Sequence, residues 1–170
     1  HFMSVGYKIG IIMMSIEKIN RKELNQVAVD LLDFLLQNGM IFERAGGYWK
    51  NQTYYYVKYN GEFVCFILLN AVGDEAKFSP LTVWTDDSDS SWYKECKIDE
   101  TAKKIATKHI DICERCGSCG GGTTKKIFGK EYCNVCKTTF RFINPNNEEL
   151  NCLKQLLVLR KKDIERKFEK

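Results

Sequence analysis

A chain of 170 residues, 44% hydrophobic and 28% charged, has the balance of a globular protein that buries one core of ordinary size, with room for a small satellite module. Two prolines and no low-complexity run speak against long disordered linkers. A net charge of +4 is too mild to name nucleic acid or an anionic membrane as the partner.

His1-Phe2 ahead of Met3 reads as a remnant of cloning and is set aside from fold reasoning. Residues 7–16 are apolar but too short to span a bilayer, and no small-residue cleavage signal follows them. They are expected to form an extra strand or an extension upstream of a start at Met13 or Met14. Residues 1–13 therefore stand apart from the domain proper.

A helix is predicted from Arg21 to Gln37, with Asn20 as its cap and Glu23 at the third position. Leu24, Val27, Ala28, Leu31, Leu32 and Leu35 recur at helical spacing, and Asn38-Gly39 supplies the left-handed stop. A short strand is expected around Met40 to Glu43. Tyr54–Tyr59 and Glu62–Leu69 flank Asn60-Gly61, the signature of a hairpin with a type I′ turn. The second arm is continuously apolar, so it should be a central strand buried on both faces. A further strand should run from Phe78 to Trp84, with Pro80 marking an edge or a strand start. Asp99 should cap a helix reaching His109, and Asn146 with Glu149 should cap a last helix striped by Leu150, Leu153, Leu157, Ile164 and Phe168.

Two segments suggest a ligand pocket. Trp84, Asp86, Asp87, Asp89, Trp92 and Tyr93 gather aromatics and carboxylates around one loop, a composition suited to a cationic or planar molecule and equally to a solvated turn between core tryptophans. The tyrosines of the first hairpin arm alternate across the strand, so one face could line a concave sheet. Cross-strand aromatic packing is the competing explanation. The candidate pocket residues are Trp84, Asp86, Asp87, Trp92, Tyr55 and Tyr59. Calcium does not fit: no loop glycine follows Asp87-x-Asp89, and Ile98 stands where a closing glutamate should be.

His109, the one histidine besides His1, has no evident nucleophile or metal partner, and its expected role is a hydrogen-bonded helix end. There is no G-x-S-x-G, P-loop or dinucleotide glycine pattern, so no catalytic residue is proposed from the sequence.

The cysteines are the most specific signal. Cys113, Cys116 and Cys119 form two overlapping CxxC steps, and Cys133-x-x-Cys136 forms a third. A CxxC turn presents two sulfurs on one side of a knuckle, and two facing knuckles make a tetrahedral sulfur cage that suits Zn²⁺. Cys116 and Cys119 are each followed by glycine, so either Cys113–Cys116 or Cys116–Cys119 can serve as the first knuckle; three early sulfurs with one later cysteine is a third possibility. A turn is expected near Phe128-Gly129-Lys130. The segment resembles a zinc ribbon, two knuckles carried on short hairpins, and the resemblance is one of motif type over residues 113–142. It implies that four of the five cysteines bind one Zn²⁺ per chain. Cys-x-x-Cys-x-x-Cys plus one distant cysteine also matches the ligand count of a [4Fe–4S] cluster, although Lys137 rather than proline follows Cys136. A metal-free redox dithiol is another alternative. Metal-ligand spacing, with Cys65, Cys96 and Cys152 scattered elsewhere, favours reduced thiols and a cytoplasmic location over a secreted disulfide scaffold.

The expected fold is α+β: an antiparallel sheet with helices on one face, built from residues 14–112 and 143–170, with the cysteine module 113–142 inserted. The expected function is a non-enzymatic cytosolic zinc-binding domain that takes a small molecule or a protein. One alternative is a nucleic-acid-associated zinc-ribbon protein in which Lys125, Lys126 and Lys130 meet phosphates. Another is a redox sensor or iron–sulfur protein. No membrane association is expected.

Overall fold

A computed structural model describes residues 19–85, 92–94, 97–117 and 120–169. The apolar stretch 7–16 and the loop 86–91 lie outside the described residues.

Helix α1 spans Gln26–Gln37, later than the predicted start at Arg21. Arg21–Glu23 form a separate 3-10 turn, after which Leu24 and Asn25 are extended at ψ 145° and 163°. The cause is the choice of cap. The Asn25 side chain accepts the Ala28 N–H at 2.8 Å, whereas the Asn20 side chain donates to the Glu23 carboxylate and caps nothing. Gly39, at φ +75°, closes the helix as its sequence position predicts.

Strands β1 (Ile41–Arg44), β2 (Thr53–Tyr59) and β3 (Glu62–Leu69) follow. Asn60 at φ +49° and Gly61 at φ +82° give the left-handed pair that a type I′ turn requires. β4 is Leu81–Thr85, shorter than predicted because Phe78 ends a 3-10 turn over Gly73–Phe78. β4 lies inside the sheet, so Pro80 marks the strand's start rather than an edge, and its missing N–H costs the ladder nothing. Helix α2 (Glu100–Lys108) is capped by Asp99, whose carboxylate accepts the Ala102 N–H at 2.8 Å. β5 (Ile110–Ile112), β6 (Thr123–Ile127) and β7 (Lys130–Ile143) complete the strands, with Phe128 and Gly129 both left-handed in the β6–β7 turn. Helix α3 (Asn147–Phe168) opens on a capping box between Asn146 and Glu149.

The sheet has seven strands in the order β1-β2-β3-β4-β7-β5, with β6 also paired to β7, and every pairing is antiparallel. The fold is thus α+β. The helices cover one face. Val57, Ile67, Val83, Phe140 and Phe142 are fully buried there against Leu31 and Leu35 of α1, Ala106 of α2, and Leu153, Leu156 and Leu157 of α3. β3 is central, and Val64 to Leu69 are all buried, as its unbroken apolar run predicts. Phe168 departs from the predicted apolar stripe of α3: it sits at the helix end and is 62% exposed.

β7 has fourteen residues and serves two sets of partners. Its first half pairs with β6 and, at Val135, with Ile112 of β5; its second half pairs with β4 through Arg141, Phe142 and Ile143. Left-handed Asn134 and Thr139 re-aim the strand between these partners. The boundary placed after residue 142 falls within this one strand.

Candidate functional site

The face of the sheet opposite the helices carries a second, aromatic cluster. Its core is a row set by strand register: Tyr56 of β2 pairs with Phe66 of β3, Phe66 with Trp84 of β4, and Trp84 with Arg141 of β7. Antiparallel register places directly opposite side chains on the same face, so these four form one continuous strip. Tyr54, two residues before Tyr56, stacks on Phe66 with ring centroids 6.3 Å apart and planes 10° apart. Trp49, from a 3-10 turn over Gly47–Trp49, meets Tyr54 at 5.3 Å and Trp84 at 6.0 Å, and Phe78 meets Trp84 edge-on at 5.5 Å.

These rings line one side of a groove of about 910 Å³. Its other side is polar: Asp111, Glu114, Cys116, Cys136, Thr138 and Arg141. Ligand sites for small organic molecules commonly enclose about 300–1,000 Å³, and an apolar lining with a few convergent polar groups is their usual composition. Arg141 stands at the junction. Its Nε lies 3.2 Å from Asp111 Oδ1 and its Nη2 lies 3.3 Å from Glu114 Oε1. Asp111 is 4% exposed, and Thr138 Oγ1 donates to its Oδ2 at 2.9 Å. Burial pushes the Asp111 carboxyl above its usual range, while the Arg141 charge works in the opposite direction.

The sequence-derived pocket residues divide between the two faces of the sheet. Trp84 lines the groove. Tyr55 is buried on the helix side against Phe42, with ring centroids 6.2 Å apart, and Tyr59 donates its hydroxyl to Glu165 of α3 at 3.0 Å. Trp92 packs on Phe140 in the helix-side core. The structure therefore does not bring Tyr55, Tyr59 and Trp92 to Trp84; Asp86 and Asp87 lie outside the described residues. The groove instead recruits Tyr54 and Tyr56, the alternate residues of the same strand, with Trp49, Phe66, Phe78 and Arg141, none of which the sequence singled out as pocket residues apart from the general tyrosine alternation.

Of the lysines considered for phosphate contact, Lys125 is engaged, donating to the Lys137 carbonyl at 2.9 Å and to Thr139 Oγ1 at 2.8 Å. Lys126 and Lys130 are exposed on the β6–β7 hairpin. His109 is hydrogen-bonded at both ring nitrogens, to Glu149 Oε1 at 3.0 Å and to the Arg141 carbonyl at 3.3 Å, and it stacks on Phe142 at 4.1 Å.

The cysteine turns sit beside the groove. Cys113 is buried, Cys136 is half-buried, and Cys116 and Cys133 are exposed. Among the described residues, no three cysteine, histidine, aspartate or glutamate side chains form a group able to hold a metal ion; Cys119 lies outside those residues. Among the described residues, too, no helix is long and apolar enough to cross a membrane.

The chain matches no family model, no curated protein and no solved structure. What fold and site define on their own is an α+β domain with one face sealed by helices and the other grooved and aromatic.

Proposed function

We propose that this is a non-enzymatic binding domain whose groove takes a small planar aromatic molecule, and that Zn²⁺ held by four of the five clustered cysteines stiffens the groove's wall. The observation that carries the first part is the Tyr56–Phe66–Trp84–Arg141 row. Rings offer a planar ligand stacking surface, and the Arg141–Asp111–Glu114 group at the end of the row offers both donors and acceptors to fix its orientation. A binding role is favoured over a catalytic one because His109 has both nitrogens occupied by structural partners. The zinc reading draws on the chemistry of the donors, since paired CxxC steps are the ligand pattern of a closed structural zinc site. The metal-ligand spacing of the clustered cysteines suits thiols kept reduced, as in a compartment such as the cytoplasm.

The test is titration with anilinonaphthalene sulfonate, a planar aromatic probe, followed by its own emission and by tryptophan quenching. Saturable binding is expected, lost on Trp84→Ala and weakened at least several-fold on Tyr56→Ala. Binding that survives both substitutions in folded protein would overturn the groove assignment.

A further inference from the structure

We propose that a shallow depression on the helix layer docks an acidic segment of a partner protein, which seats one apolar side chain there. The proposal is independent of the aromatic groove and of the zinc reading.

The depression lies where α1, α3 and the residues just ahead of α2 meet. Its floor is apolar: Phe34 of α1, Val158 and Leu159 of α3, and Ile98. Phe34, Val158 and Leu159 are only half-buried, so the helices leave apolar surface uncovered here. The volume is about 260 Å³. Sites that enclose a whole small molecule commonly measure about 300–1,000 Å³. This one is smaller and lies open to solvent, which suits a single anchoring side chain carried on a larger partner.

Charge names the partner. Three lysines, Lys97, Lys154 and Lys162, stand around the floor, and no aspartate or glutamate lines it. Lys154 and Lys162 flank Val158 at four-residue spacing, so all three share one face of α3. Lys154 Nζ lies over the Phe34 ring, 5.4 Å from its centroid, which holds that charge at the floor itself. Among the described residues, none of the three lysines pairs with a carboxylate. The other two lysines of α3 do: Lys161 lies 3.8 Å from Glu165, and Lys167 lies 3.4 Å from Glu62.

The acids next to these positions in the chain are engaged elsewhere. Asp33, beside Phe34, holds Arg21 at 2.7 Å, and Asp30 accepts from Gln26 at 2.6 Å. Asp99, beside Ile98, caps α2. Asp163, beside Lys162, holds Arg160 at 2.7 Å, and Glu165 takes the Tyr59 hydroxyl. The fold thus supplies an apolar seat and positive charge around it, and leaves the matching negative charge to come from outside. Segment 1–18 of the chain itself carries Lys8 and Lys18 against Glu17, so it is not the source of that charge. Rim charges of this kind set the approach and the choice of partner, while the seated side chain supplies the hold.

The experiment is fluorescence polarisation on the full chain with a short fluorescein-labelled peptide, a phenylalanine and a leucine flanked on both sides by glutamates. Saturable binding is expected in the micromolar range. It should weaken at least tenfold when the glutamates become glutamines, and as much when the two apolar residues become serines. Raising salt from about 0.05 M to about 0.3 M should weaken it several-fold, because the charges are exposed and screened. Lys154→Glu with Lys162→Glu should abolish binding. Lys126→Glu with Lys130→Glu makes the same change in net charge on the exposed β6–β7 hairpin and should leave binding intact. Circular dichroism melts confirm that both double variants are folded. Equal binding of the glutamate and glutamine peptides overturns the proposal, as does binding that survives Lys154→Glu with Lys162→Glu in folded protein. Two further results overturn it by naming another occupant. One is dodecanoate binding at this site with no peptide binding, which marks a seat for a small amphiphile. The other is a dimer in sedimentation velocity that the same two substitutions dissociate, which marks an interface between copies of this chain.

Discussion

Arg160, wholly buried on α3, donates its Nε–H to the carbonyl of Phe63 on β3 at 3.0 Å. The same guanidinium holds Asp163 Oδ2 at 2.7 Å through Nη1 and approaches Glu62 Oε2 at 3.7 Å. One side chain thereby fastens the last helix to the central strand. Its aliphatic stem packs in the core, and its Nε and Nη1 donate to a backbone carbonyl and a carboxylate, which is how an arginine can be enclosed.

Replacing Arg160 with alanine should cost about 3–5 kcal/mol, because it opens a cavity and strands the Phe63 carbonyl and the Asp163 charge. Arg160→Met keeps most of the stem and should cost less than alanine. Urea unfolding followed by tryptophan fluorescence measures both. A near-neutral Arg160→Ala would show that the bond to β3 contributes nothing to stability.

Gly122→Ala should destabilise the protein by about 1–3 kcal/mol, the usual range for forcing an extra carbon into a packed site. The added carbon meets the Asn134 backbone, which cannot swing aside as a flexible side chain would. A control at Gly120, where a Cβ meets nothing within 4 Å, should be close to neutral. Paired thermal melts of the two variants make the comparison.

Cys152 should be inert in the folded state. Burial pushes its thiol up to about 11, and its Sγ–H donates to the Ala102 carbonyl at 3.2 Å. Thiol-reactive mass labelling near pH 8 should leave Cys152 unmodified until denaturant is added. The pH dependence has a definite sign. The folded thiol keeps its proton after the unfolded one has begun to lose it, near about 8.5. This group's contribution to stability is therefore complete below that pH and declines as pH rises toward about 11. Cys152→Ala should flatten that alkaline decline relative to wild type.

Chelation should weaken the groove as well as the hairpin. Cys116 and Cys136 line the same cavity as Trp84 and Tyr56. Treatment with a strong chelator, followed by its removal, should lower the melting temperature and reduce anilinonaphthalene sulfonate affinity together, and re-addition of Zn²⁺ should restore both. A chelated protein that melts earlier but binds the probe unchanged would separate the two sites.

Local signals made much of the fold legible. The Asn60-Gly61 turn, the Asp99 cap and the Asn146–Glu149 box each depend on residues within a few positions of one another, and each appears as predicted. The start of α1 was misplaced because Asn20 and Asn25 are both good caps, and only backbone geometry separates them. The groove was less legible, for a reason of phase. A strand such as β3, apolar at every position, does not reveal which of its faces meets the helices, so the partner strand Tyr54-Tyr55-Tyr56 could be read with either set of tyrosines outward. The decision comes from α3, whose Glu165 takes the Tyr59 hydroxyl and whose leucines cover the Val57 face. Arg141 carries no local signal in the sequence; its place beside Trp84 exists only once β7 pairs with β4.

That β7 runs without a break from Cys133 to Ile143 has a mechanical consequence. The residues that would grip a metal and the residues that fill the core, Phe140 and Phe142, are carried on one rod. The hairpin cannot come loose as a separate flap without pulling on the seam between β4 and α3. Amide hydrogens of the Cys133–Cys136 turn and of the Phe140–Phe142 stretch should accordingly exchange in step, as a single cooperative unit.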